Sequence, residues 1–278
     1  MAEFLRPTSV DEALTDLRRE HAVPVAGATQ VALLMRTGLL EVDTLVWLGA
    51  IPDLRQIGAE GERLSLGAAV TLHELSRSTE VRRLHPALAA AALEVGNPRV
   101  RSAATLGGHL AHADPRQDLP PLLIALGAVV VIAGLAGTRR IPISDFFTGF
   151  MSTALEPGEL LTAVEVPGPA EGRRASYVRF APTSASDYAA VGVAGALTVS
   201  DGVVGDAAVA LGAGASTPRA VPAAGAALLG RPGDADIRRA SMAVESAADP
   251  VDDQRGSAVY KRAMAGLWSR RLIHELLA

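Results

Sequence analysis

Two glycine-centred turns hold the residues best suited to chemistry: Val25-Ala-Gly-Ala-Thr-Gln30 and, eighty residues on, Ala104-Thr-Leu-Gly-Gly-His109. A glycine lets backbone approach a diphosphate closely and leaves N–H groups exposed as donors. Thr29 and Thr105 add hydroxyls, and a helix beginning after Gln30 would turn its positive end towards an anion. Neither turn has the Gly-x-Gly-x-x-Gly spacing of a dinucleotide fold, and no Gly-Lys-Ser/Thr follows, so neither matches the common phosphate-loop patterns. The residues alone leave two readings open, a phosphate cradle and a structural strand-to-helix turn. His109, His112 and Asp114 lie within six positions of one another, but no further His or Cys stands at ligand spacing, so they read as loop polarity rather than a metal site. Ser186-Asp-Tyr188 lacks the Gly-x-Ser-x-Gly context of a nucleophile, and His73 and His85 read as surface or helix-end residues.

The elements that must position these turns can be read from capping and periodicity. Ser9-Val-Asp-Glu12 has capping-box spacing and predicts a helix over 10–20. Strands are expected at 22–26, 44–47 and 64–68, with a turn at Glu60-Gly61, and helices at 30–37, from Thr71, and over 86–96. Asn97-Pro98 reads as a break, and 100–106 as a strand-like approach to the second glycine pair. A helix from Asp118 to Leu126 follows, then strands at 128–133, 139–143 and 160–166. The cluster Pro167-Gly-Pro169 marks a domain boundary. Beyond it strands at 176–180, 190–200 and 203–211, with Asp201-Gly202 as a hairpin turn, precede a helix at 223–229 and a long terminal helix over 258–277. The expected class is α+β, without strict βαβ alternation.

Composition narrows the function. With 26 basic and 30 acidic residues the formal charge is −4, which argues against a nucleic-acid surface. There is no cysteine, which excludes disulfides, thiolate zinc and any cluster ligated by this chain's own thiolates. The first ten residues carry Glu3, Arg6 and Pro7 rather than an apolar leader, and no run reads as a transmembrane segment, so a cytoplasmic protein is expected.

Taken together and in order, these pieces resemble the flavoprotein family of molybdenum hydroxylases, which includes the medium subunit of aerobic carbon monoxide dehydrogenase and the FAD domain of xanthine dehydrogenase. Ala26-Gly-Ala-Thr-Gln30 is similar to the family's Ala-Gly-Gly-Thr-Asp loop. Arg101-Ser-Ala-Ala-Thr-Leu-Gly-Gly-His109 is similar to its Arg-x-x-Ala-Thr-Ile-Gly-Gly-Asn signature. Leu110-Ala-His-Ala-Asp-Pro-Arg-Gln-Asp-Leu-Pro-Pro121, Asp145-Phe-Phe-Thr-Gly149, Glu156-Pro-Gly-Glu-Leu-Leu161, Ser186-Asp-Tyr188 and Asp253-Gln-Arg-Gly-Ser257 continue the likeness along essentially the whole chain. Ala28, Gln30, His109 and Arg179 depart from the family's usual Gly, acidic residue, Asn and Lys.

The resemblance implies a two-lobed FAD-binding domain of the vanillyl-alcohol-oxidase (PCMH) type, lobe 1 over 1–55 and lobe 2 over 56–170, followed by a small α+β C-terminal domain over 171–278. It implies that Val23, Pro24, Val25, Ala26, Gly27, Ala28, Thr29 and Gln30 wrap the pyrophosphate and ribityl region. Thr105, Leu106, Gly107, Gly108 and His109 would cover the pyrophosphate from the other lobe. Asp118 would accept hydrogen bonds from ribose hydroxyls, Leu161 would lie near the flavin or adenine, and Arg179 would place a positive charge near the flavin. Cofactor FAD, an iron–sulfur small subunit and a molybdenum-cofactor large subunit are the implied companions, with electrons relayed through FAD to an external acceptor. A stand-alone flavin oxidase of the same fold and a flavin-free scaffold paralogue remain as alternatives.

Overall fold

A computed structural model describes residues 2–60, 63–184 and 187–278; Gly61 of the expected turn and Ser186 lie outside them. Strands β1 (Glu3–Leu5), β2 (Ala22–Val25) and β3 (Thr44–Trp47) form a small parallel sheet in the order β1-β3-β2. Helix α1 (Val10–Asp16) buries Ala13 and Leu14 against it, and α2 (Val31–Arg36) follows the first glycine turn. The Ser9 hydroxyl accepts the Glu12 N–H, the first half of the expected cap, while Glu12 closes back on Thr8 instead. The helix ends at Asp16, four residues short of expectation.

The second sheet is antiparallel, in the order β4-β5-β10-β6-β7, built from β4 (Ile57–Glu60), β5 (Arg63–Gly67), β6 (Val129–Gly134), β7 (Gly137–Pro142) and β10 (Leu160–Pro167). A two-stranded ribbon, β8 (Phe147–Gly149) and β9 (Ser152–Thr153), precedes β10. Six short helices cover the sheet: α3 (Leu72–Arg77), α4 (Thr79–Leu84), α5 (Pro86–Glu94), α6 (Pro98–Ala103), α7 (Leu106–His112) and α8 (Leu119–Ala125). Their Leu and Ala side chains and the strands' Val and Ile residues make the main core, centred on Leu66, Leu106, Leu122, Val130 and Phe146. A register shift in β10 between Leu161 and Ala163 frees the Thr162 carbonyl to accept the Ala68 N–H, which ties the strand to the turn after β5.

The third sheet, β11 (Arg173–Phe180), β12 (Val191–Ser200), β13 (Val203–Gly212) and β14 (Arg219–Ala220), is antiparallel and sequential. Asp201 and Gly202 both have positive φ (51° and 72°), the conformation a tight hairpin of this hand demands. One face carries α9 (Pro222–Ala226), α10 (Asp234–Ala247) and α11 (Ala258–Leu277) over Val193, Leu197 and Leu211, with Ile273 of α11 in the same core. The other face, small at Ala194, Ala196 and Ala210, joins the main core against α8. Helix α10 and strands β1 and β4 were not expected from the sequence. No helix among the described residues is long and apolar enough to cross a membrane.

Candidate functional site

The first glycine turn leaves the end of β2 and crosses directly over the junction of α6 and α7. A Cβ on Gly27 would fall 1.7 Å from the Ala103 carbonyl oxygen, so only glycine permits this approach. Ala28 then takes φ 57°, a left-handed conformation that costs a non-glycine residue about 1–2 kcal/mol. The turn presents four successive amides, those of Gly27, Ala28, Thr29 and Gln30, that donate to no group among the described residues. Consecutive unpaired N–H groups on a concave turn are an anion-binding concavity.

The second glycine pair differs from expectation. The run before it is helical, not strand-like: Asn97 caps α6 by accepting from Arg99 and Val100, with Pro98 at the first helical position. Thr105 then caps α7, its hydroxyl accepting the Gly108 N–H at 3.2 Å. The amides in the first turn of α7 are already bonded: Leu106 to Val70, Gly107 to Ala68 and His109 to Thr105. Gly107 and Gly108 therefore act through close packing rather than as donors. A Cβ on Gly107 would lie 2.6 Å from that of Ala68. The hydroxyl proton of Thr105 has no acceptor among the described residues.

Between the two turns runs a trough of three adjoining cavities. The middle one, about 240 Å³, is walled by Val23, Pro24, Val25, Ala26, Gly27, Ala28, Thr29 and Gln30 on one side and by Thr105, Gly108, Ala111 and His112 on the other. It shares Pro24, Ala26, Thr105 and Gly108 with a smaller apolar cavity of about 90 Å³, lined also by Leu48, Gly107, Leu160 and Leu161. It shares Thr29, Gln30 and Gly108 with a cavity of about 230 Å³ that adds Asn97, His109, Gln117, Asp118, Arg179 and Tyr188. Leu106 is buried in the main core. A wider notch of about 470 Å³ beside α1 lies outside the trough and presents Asp11, Glu12 and Asp16, the wrong sign for a phosphate.

Polar groups concentrate at the last cavity. Asp118 is 5% exposed, and its Oδ1 accepts the Tyr177 hydroxyl at 2.8 Å and lies 3.2 Å from Arg179 Nε. Burial pushes its carboxyl above the usual aspartate range, while Arg179 and Tyr177 pull it back down. Arg179 also donates to the carbonyls of Glu94 and Asp187, so its charge is held by Asp118 and by carbonyl dipoles. Two buried polar atoms in this wall, His109 Nε2 and Gln117 Oε1, have no partner among the described residues. Burial drives His109 down to about 3, so its ring is neutral. Asp114 is gripped at both oxygens by Arg116 (2.9 and 2.7 Å), an ion pair in place of a metal ligand. His85 sits at a helix end, between α4 and α5, and is buried there.

The C-terminal domain reaches over the trough with residues the sequence did not single out for this role. Gln30 Nε2 donates to the Tyr188 hydroxyl at 3.2 Å. The Tyr188 ring lies 4.7 Å from the Arg116 guanidinium and 5.9 Å from that of Arg255, which pairs with Asp187. These contacts join residues 67 to 158 positions apart, beyond any local pattern.

Comparison with known proteins agrees with this geometry. Residues 1–169 match the family described as the FAD binding domain in molybdopterin dehydrogenase, and residues 176–276 the CO dehydrogenase flavoprotein C-terminal domain. The chain is 34% identical over 279 residues to the carbon monoxide dehydrogenase medium chain of Afipia carboxidovorans, covering 99% of this chain and 96% of that one. It is 30% identical to the nicotine 6-hydroxylase medium subunit of Paenarthrobacter nicotinovorans, covering 98% and 96%. Among solved structures, the Cu,Mo-CO dehydrogenase in its cyanide-inactivated form contains a chain that superposes with a TM-score of 0.96 at 33% identity, covering 99% of this chain and 97% of that one. Quinoline 2-oxidoreductase from Pseudomonas putida 86 contains one with a TM-score of 0.93 at 30% identity, covering 100% and 97%.

Proposed function

Because the chain belongs to the FAD-binding family of the molybdopterin dehydrogenases, and is a medium, FAD-binding subunit of the molybdenum hydroxylase type, we propose that it serves as the electron relay of a heteromeric complex. When bound, FAD would supply two-electron chemistry, accepting electrons from iron–sulfur clusters of a small subunit, fed by a molybdenum-cofactor large subunit, and passing them to an external acceptor. The lack of any cysteine supports this division, because the clusters then reside on another chain.

The observation that carries the reading is the set of four unbonded amides at 27–30, facing Thr105 across a cavity. In lobe 1 (1–55) these amides would hold the diphosphate. From lobe 2 (56–170) the Thr105 hydroxyl would donate to it. The apolar pocket at Leu48 and Leu161 suits a flat aromatic ring, and the polar cavity suits a hydroxyl-bearing ribose. There Asp118 would accept from a ribose hydroxyl, and the neutral His109 and Gln117 would meet ring or hydroxyl groups without bringing charge. Tyr188, in the C-terminal domain (171–278), would restrict water at the mouth.

The test is direct. The purified full chain should show flavin absorbance, or acquire it on titration with FAD, and should co-purify with molybdenum- and cluster-bearing subunits when expressed with its neighbouring genes. A colourless chain that takes up no added FAD would overturn the proposal.

A further inference from the structure

We propose that Tyr177 is a positioning residue for FAD: from the C-terminal domain it fixes the Asp118 carboxylate across the domain seam, so the cofactor site is incomplete without that domain. The inference rests on the FAD-binding reading above.

An aspartate directly before Leu119-Pro-Pro121 would ordinarily cap the helix that follows. Asp118 does not: its side chain makes no capping bond to α8. Both of its protein contacts come instead from β11, and both fall on Oδ1. Oδ2 has no protein donor among the described residues, and the residue lines the polar cavity. The carboxylate is thus held by one oxygen and offers the other.

The strand explains how this hold is built. Along β11, Val178 and Phe180 turn to the C-terminal core, while Tyr177 turns to the main core, with Arg179 two residues on and on the same face. The phenol needs space that only its neighbour's backbone can give: a Cβ on Gly192 would stand 2.6 Å from the Tyr177 hydroxyl oxygen. Burial and the adjacent Asp118 push the phenol well above its usual range. It stays protonated, and because an ionised carboxylate can only accept, the phenol is the donor in this bond. The other groups around Asp118 are Arg179 on the same strand, Glu94 on α5, which raises its pKa, and the neutral His109 on α7.

A carboxylate accepts most strongly from a ribose hydroxyl when it is ionised. FAD affinity should therefore fall on acidification as Asp118 takes up a proton, at a pH above the ordinary aspartate range. Tyr177→Phe removes one oxygen and keeps the ring. It should weaken FAD binding by the full chain roughly 10-fold at neutral pH. It should also move the acid limb up by about one pH unit, because a donor that favoured the ionised form is gone. Asp118→Asn should bind weakly with no acid limb, and adding Tyr177→Phe to it should change little.

FAD titrations followed by flavin fluorescence between pH 4 and 8 read all three. A Tyr177→Phe protein with unchanged Kd and an unmoved limb overturns the proposal while leaving the FAD assignment intact. So does full additivity with Asp118→Asn, or a Tyr177→Phe chain that does not fold, since the tyrosine is then merely structural. A wild-type chain that binds no FAD removes the proposal together with the reading beneath it.

Discussion

Adding one methyl group at Gly27 tests the geometry of the cradle most sharply. In Gly27→Ala the new Cβ falls 1.7 Å from the Ala103 carbonyl oxygen and 2.5 Å from its carbon, both backbone atoms that no rotamer change can move. The turn and the α6–α7 junction must separate by roughly 1.5 Å to reach ordinary contact. Overpacking of this kind costs ~1–3 kcal/mol, which lowers Tm by about 2–4 °C per kcal/mol in a chain of this size. The loss for FAD should be larger. If two of the four amides at 27–30 lose alignment with a charged diphosphate, at about 1.5 kcal/mol each, Kd rises on the order of 100-fold. Gly38→Ala is the control: it has positive φ (71°) but open space around it, so it should lower stability by about 1–2 kcal/mol and leave FAD untouched. Calorimetric titration with FAD, with melting curves of both variants, gives the answer. A Gly27→Ala protein with wild-type Kd would show that the turn does not hold the diphosphate by its backbone.

Ala28→Gly should act in the opposite sense, relieving a left-handed alanine and raising stability by ~1 kcal/mol in urea denaturation, with FAD retained. His109 should make the protein acid-sensitive. Its folded-state pKa of about 3 lies below the unfolded value, so the unfolded chain binds the proton first. Stability is then present above about pH 6.5 and lost as pH falls towards 3, by up to ~1.4 kcal/mol per pH unit. His109→Asn should flatten the urea midpoint between pH 6.5 and 4, and an equally steep slope in that variant would contradict the assignment.

What could be read from the sequence was local. Thr44–Trp47 and Ala258–Leu277 have the expected ends because a β-branched run and a Ser257 cap define them without outside help. The Asp201-Gly202 hairpin needed only two adjacent residues able to take positive φ. The approach to the second glycine pair differs for an equally local reason. Asn97-Pro98 does break the helix before it, but Asn at the cap and Pro at the first position also begin a new helix, so 98–103 is helical rather than strand-like. Helix α10 has a weak sequence signal because half of its buried stripe, Ala240 and Ser241 beside Ile237 and Val244, is small or polar. The wall of the polar cavity was legible only in part. Asp118 and Arg179 came through the family resemblance, but Tyr177 and Tyr188 become site residues only once β11 lies against α8 and the 187–190 segment reaches the first turn.

Strand β11 therefore answers to two neighbours at once, through side chains of opposite direction. A module exchange between related flavoprotein chains that cut at the Pro167-Gly-Pro169 linker would sever Asp118 from the tyrosine and arginine that steady it. Working chimeras of this architecture should be those that inherit the start of α8 and the whole of β11 from the same parent.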